Sequence, residues 1–197
     1  MVRDNRPRIE IDREKEMRTK EISQMIDEGG LGTRTFHYEI VKENSSKKGI
    51  TSKTGVALNK LVANLGVFYI KLHQYHWYVT GSDFFTLHEK FEELYNDVSA
   101  HFDAFAERMI AKGEKPSSTL QEFLEHAVIE EKPYHDPISS EQMVGNIISD
   151  YEKLKRIAKA GITVAEEEGD NITEDMLIGY VEQIDLHLWM LRAFLNK

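Results

Sequence analysis

Residues 72–113 read LHQYHWYVTGSDFFTLHEKFEELYNDVSAHFDAFAERMIAKG, and turn signals divide them cleanly. Gly81 stops one helical pattern, Ser82 or Asp83 is suited to cap the next, and Gly113 ends it. Upstream, Leu58, Leu61, Val62, Leu65, Phe68, Leu72 and His76 recur at spacings of three and four. That is the stripe of a helix facing a core, starting near Thr54. Downstream a short helix is expected at Leu120–His126, followed by the Pro-interrupted loop EEKPYHDPISS. A third long helix runs from about Ser140 to Glu168, with Gly145 and Gly161 as weak points. Thr173 or Asn171 opens a fourth, whose apolar face holds Ile184, Leu188, Leu191 and Leu195. The expected fold is all-α: a four-helix bundle with a short helix between the second and third long helices.

The first third of the chain reads differently. Residues 9–28 suggest a short amphipathic helix with Ile22, Met25 and Ile26 on its apolar face, and 33–41 an extended run. Residues 44–55 (NSSKKGITSKTG) are polar and turn-rich, as in a linker. Residues 1–54 are therefore expected to form an N-terminal extension, and 55–197 the bundle domain.

The chain has 197 residues, 41% hydrophobic and 30% charged, the balance of a soluble globular protein. No secretory signal is expected, since MVRDNRPRIEIDREKE lacks an apolar core. The wholly apolar stretches, such as 65–70, are too short to cross a bilayer, so a cytoplasmic location and no membrane partner are expected. The chain contains no cysteine, which excludes disulfides and thiolate metal sites. Any metal must be held by His, Asp and Glu, a ligand set that suits iron or manganese. The net charge of −9 is uneven: residues 1–60 carry 13 Lys/Arg against 10 Asp/Glu, and residues 61–197 carry 12 against 24. Cations favour the body, and a polyanion would meet the arm.

The chemistry lies on the second helix. At 100° per residue, with His88 at zero, Glu92, Asp103 and Glu107 fall at about 40°, 60° and 100°. All four share a face. His88 with Glu92, and Asp103 with Glu107, are each one turn apart, the spacing for gripping one ion. The two pairs are separated by fifteen residues, roughly 22 Å of helix, so they cannot share an ion within one chain. Either they are unrelated half-sites, or a second copy of the helix brings one pair opposite the other, as an antiparallel two-fold dimer does. His76, at the inward end of the first helix, adds an imidazole, and a His-His-carboxylate set with open positions is a ligand type of redox-active non-haem iron. The Glu-x-x-His motif of a di-iron site inside a bundle is absent, because none of the eight histidines has Glu three residues before it. His73 and His101 are read as structural or supporting groups.

On the run 72–113 and on DLHLWMLRAFL in the last helix, residues 55–197 resemble the Dps family, the DNA-binding proteins from starved cells, also called mini-ferritins. The resemblance implies the ferritin-like bundle and a dodecameric cage. It also implies oxidation of Fe(II) to Fe(III), preferentially by hydrogen peroxide, with storage of the product as part of a stress response. His76 and His88 match the family's two histidines, Glu92 stands where it usually has Asp, and Asp103 and Glu107 match carboxylates from the partner subunit at the two-fold interface. Trp77 matches an aromatic beside the site with a redox role, Glu89 and Glu93 resemble mineral-nucleating acids, and Asp170 and Asp175 resemble the acidic lining of the iron-entry pore. Glu92 lengthens a ligand by one methylene relative to the family pattern. Some members bind DNA through basic tails, and here Lys42, Lys47, Lys48 and Lys53 are the candidates for sequence-independent phosphate contact and a nucleoid location. The alternative function is a DNA-compacting cage with weak or lost iron chemistry.

Overall fold

The computed structural model describes residues 49–196. The sequence-based readings at 9–28 and 33–41, most of the 44–55 linker, and Lys42, Lys47 and Lys48 lie outside them. Five helices follow in order: α1 Lys53–Tyr78, α2 Phe84–Ala111, α3 Leu120–His126, α4 Ser140–Glu168 and α5 Asn171–Phe194. No strand occurs among the described residues. The fold is the ferritin-like four-helix bundle: α1 packs on α2, α4 on α5 and α1 on α4, with the short α3 laid on α1 within the long crossover from α2 to α4.

The buried side chains of α2, Leu87, Phe91, Leu94, Val98, Phe105 and Met109, occupy about −60° to −120° on the wheel that places His88 at zero. Phe91 and Leu94 are fully buried, a gain of about 2 kcal/mol each over exposure. This stripe presses α2 into the bundle and turns the His88–Glu107 face away from it. By length and composition α1 could cross a membrane, but Leu58, Leu61, Leu65, Phe68 and Leu72 are all fully buried in the bundle core. Phe68 meets Tyr151 edge-on at 5.0 Å between α1 and α4, and Phe105 meets Tyr180 at 5.2 Å between α2 and α5.

The helices depart from the sequence reading at Asp83 and at the glycines of α4. Asp83 is the N-cap residue of α2 but makes no side-chain cap bond; its carboxylate instead accepts from Ser140 Oγ at 3.0 Å, tying the starts of α2 and α4 together. α5 opens at Asn171, as expected, and is capped by Asp170, whose carboxylate accepts from the Thr173 amide at 3.2 Å. Gly145 and Gly161 do not interrupt α4. At Gly161 an added Cβ would lie 2.8 Å from Leu177 Cδ1, so this glycine lets α4 and α5 approach closely. The ends of α4 match expectation, with a Ser139/Gln142 capping box and Gly169 in the left-handed conformation, φ 70°.

Candidate metal centre

The turn between α1 and α2 brings His76 and His88 together. The His76 Nδ1–H donates to the His88 carbonyl at 2.8 Å, and the His88 Nδ1–H donates to the His76 carbonyl at 2.9 Å. The rings stack with centroids 3.7 Å apart and planes 20° apart, and Phe84 stacks on His88 at 5.0 Å. A carbonyl carries no proton, so both acceptors fix the proton on Nδ1. Each neutral ring therefore keeps a lone pair on Nε2, the form in which imidazole ligates a metal. His76 is buried, and neither Nε2 has a hydrogen-bond partner among the described residues.

The carboxylates are placed otherwise. Glu92 is exposed on the turn after His88, and Asp103 and Glu107 are exposed near the far end of α2. Because α2 is unbroken from Phe84 to Ala111, the rise from His88 to Asp103 is roughly 22 Å, and one chain cannot join them. Among the described residues no group of three or more His, Asp or Glu side chains is placed to hold a metal ion. The histidine pair is half of a coordination sphere.

An aromatic cluster that the sequence reading did not single out surrounds this half-site. Tyr95 stacks on His73 at 3.8 Å and meets His76 edge-on at 5.4 Å. The His73 Nδ1–H donates to the Tyr69 carbonyl at 2.9 Å, and the His73 ring meets Trp77 at 5.5 Å. Trp77 is 65% exposed. With Ile70 two turns before it, Phe85 on α2, and Leu120 and Leu124 on α3, it belongs to a set of large apolar side chains open to solvent. Only long-range packing pairs Tyr95 with His73, so helical periodicity gave no signal for it.

Other predicted site residues have local partners. Glu93 is ion-paired with Lys90 at 2.7 Å, whereas Glu89 is exposed. Asp175 is exposed. Asp170 is held by Arg108 at 2.6 Å, by Lys112 and by the Thr173 hydroxyl at 2.8 Å. Partial burial alone would raise its pKa, but these hydrogen bonds outweigh it and hold the carboxyl well below the usual range. Lys53 is exposed at the start of α1, with its amide on Glu168 at 2.8 Å and its ammonium 3.8 Å from Glu167. His101 and His187 each find partners across helices, and His101 Nε2 also lies 3.7 Å from Asp97, one turn before it on α2. His101 Nε2 lies 2.9 Å from Gln183 Oε1, His187 Nε2 lies 3.2 Å from Asp97, and Gln183 also donates to Asp97. This is a polar network inside the bundle, with the buried Tyr180 ring 4.5 Å from His101.

A family model for the ferritin-like domain matches residues 56–197. The chain is 48% identical over 140 residues to a DNA protection during starvation protein of Listeria monocytogenes, covering 71% of this chain and 90% of that one. It is equally identical to general stress protein 20U of Bacillus subtilis, over 71% of this chain and 95% of that protein. Among solved structures, Dps from Listeria innocua superposes with a TM-score of 0.72 at 47% identity, covering 73% of this chain and 95% of that one. A Dps protein from Bacillus brevis gives 0.69 at 44%, covering 72% and 94%.

Proposed function

Because the chain belongs to the Dps family of ferritin-like proteins, we propose that it is a ferroxidase that oxidises ferrous iron at sites shared between two copies of itself and stores the ferric product inside a closed cage, a dodecamer by family likeness. The observation that carries this reading is the His76/His88 pair, brought together by the α1–α2 turn with both Nε2 lone pairs free, while Asp103 and Glu107 lie too far along α2 to complete the sphere within one chain. An antiparallel two-fold contact brings Asp103 and Glu107 of one copy to His76, His88 and Glu92 of the other. The exposed Ile70, Trp77, Phe85, Leu120 and Leu124 give such a contact apolar surface to bury.

Two adjacent ferrous ions supply one electron each to one hydrogen peroxide. Its O–O bond breaks, two protons complete two waters, and no hydroxyl radical is released. The carboxylates then favour the more highly charged ferric product. In this reading Trp77 flanks the reacting ions, and Glu89 and Glu93 serve mineral nucleation. Asp170 and Asp175 belong to the iron-entry path, with the charge of Asp170 shared with Arg108 and Lys112. Protection of DNA, which the relatives' names state of those proteins, follows chemically from removal of iron and peroxide. The test is an anaerobic Fe(II) titration followed by peroxide. A His88→Ala, Asp103→Ala double variant should lose peroxide-dependent oxidation down to the rate in buffer, and an unchanged rate sinks the site.

A second reading, direct DNA contact through Lys42, Lys47, Lys48 and Lys53, is favoured by the basic balance of residues 1–60. A gel-shift comparison of the full chain with a truncation starting at Thr54 separates the two. If neither retards DNA at low salt, that reading fails while the iron chemistry stands.

A further inference from the structure

Phe84 is the first residue of α2 and stands one turn before His88. Its ring stacks on His88 with centroids 5.0 Å apart and planes 25° apart, and His88 in turn stacks on His76 at 3.7 Å and 20°. His88 is thus the middle ring of three. The bond from its Nδ1–H to the His76 carbonyl fixes one edge of the ring but leaves it free to tilt about that bond. A hydrogen bond tolerates misalignment of roughly 30° at little cost, and a tilt of that size swings Nε2, at the opposite edge, off its direction. Rings on both faces remove that freedom. Buried His76 is one wall and Phe84 is the other. Phe84 also bears on the loaded state. An imidazole whose Nε2 holds a divalent cation takes on part of the positive charge, and the negative face of a phenyl ring favours a positive charge beside it. An aliphatic side chain of similar size fills the space and does neither.

We propose that Phe84 is a positioning residue of the shared metal site, holding the His88 ring against His76 so that the direction of its Nε2 lone pair is set before an ion arrives. The inference rests on the ferroxidase reading. It assigns to a side chain with no polar atom the task that hydrogen-bonded partners perform behind other metal ligands, which is to fix ring orientation. The reciprocal Nδ1 bonds choose the tautomer, and the stack chooses the tilt.

The test uses the full-length protein and cobalt(II) alone, whose visible absorption reports coordination without turnover. Titrations are run on the wild type and on Phe84→Leu, Phe84→Tyr and His88→Ala, each with its thermal midpoint and elution volume. Phe84→Leu should weaken cobalt binding by roughly fivefold, within the range that loss of one aromatic stack produces. Phe84→Tyr keeps the ring and should bind within about twofold of the wild type. Phe84 is only partly buried at the start of its helix, so Phe84→Leu should keep its elution volume and most of its thermal stability. If it does not assemble, Phe84→Met takes its place with the same expected loss. Equal affinity in Phe84→Leu and wild type, or a loss as large in Phe84→Tyr, overturns the inference provided that His88→Ala has lost the cobalt spectrum. A lower thermal midpoint with unchanged cobalt binding also overturns it, because Phe84 is then a packing residue alone. If His88→Ala keeps that spectrum, the ferroxidase reading itself falls, and the role of Phe84 falls with it.

Discussion

The histidine end of the α1–α2 hairpin and the Asp170 cluster at the start of α5 are both built on side chains of α2, yet they treat polar groups in opposite ways. At Asp170 every charge is answered: Arg108, Lys112 and Thr173 surround one carboxylate, which also caps the helix it begins. Buried Asp150 is treated alike, between Lys71 at 2.6 Å and Lys153 at 2.9 Å. At His76 and His88 only the Nδ1 side of each ring is answered, by backbone carbonyls that no substitution can remove, and the Nε2 side is left open. A closed cluster holds a fold together. An open one, in which half of each group is fixed and half is unused, is what the proposed shared site requires.

The sharpest way to break this comparison is to ask whether what completes the open end is a second copy. His88→Ala and Asp103→Ala each remove one half of every shared site, so each protein alone should lose peroxide-dependent iron oxidation. Coexpressed, they form mixed two-fold pairs in which one of the two sites carries both substitutions and the other carries neither. Random pairing should therefore restore about a quarter of the wild-type activity per chain. Mixed oligomers with no recovery would mean that His88 and Asp103 do not meet across a two-fold contact.

The architecture was legible because helical periodicity and caps are local signals. The stripe from Leu58 to Leu72, the stop at Gly81 and the bounds Ser140 to Glu168 are read from neighbours within a few positions. So was the isolation of His88 from Asp103, which needs only the rise of one helix. What escaped depends on partners far apart in sequence. Asp83 leaves its cap to accept from Ser140, 57 residues away, and His101 finds Gln183 at a separation of 82. Nothing in the spacing of Gly161 shows that Leu177 needs its missing Cβ, nor does anything near Tyr95 show that His73 will stack on it.

A closed cluster should tolerate losing both partners but not one. Asp150 is 1% exposed, and Asp150→Ala strands the Lys71 ammonium, whose side chain is only 13% exposed, beside the Glu130 carbonyl alone. A loss of about 3 kcal/mol in unfolding free energy is expected, since a buried charge is left without its counterion. Lys71→Met combined with Asp150→Leu should recover most of it, because apolar side chains of similar volume need no counterion. Cobalt binding at the histidine end should be unchanged in both variants. If the double variant is as unstable as the single one, the cluster does more than neutralise itself.

The smallest effect should appear at Asp170, where it carries a pH signature. Asp170→Asn retains the cap, for which asparagine serves as well as aspartate, and removes only the charge facing Arg108 and Lys112. The folded-state pKa of Asp170 is depressed from its ordinary value of 3.8, so the folded state binds fewer protons there than the unfolded state as pH falls through that value. Its contribution is therefore complete above about pH 3.8 and drains away as the solution becomes more acidic. At neutral pH the variant should be less stable by on the order of 1 kcal/mol, within the range of hydrogen bonds to charged groups. Thermal midpoints of the two proteins, at one protein concentration so that assembly contributes equally, should converge as pH is lowered past that point. A gap that stays constant down the whole series would mean that Asp170 acts through its shape and its cap, and that the two cations beside it add nothing to the fold.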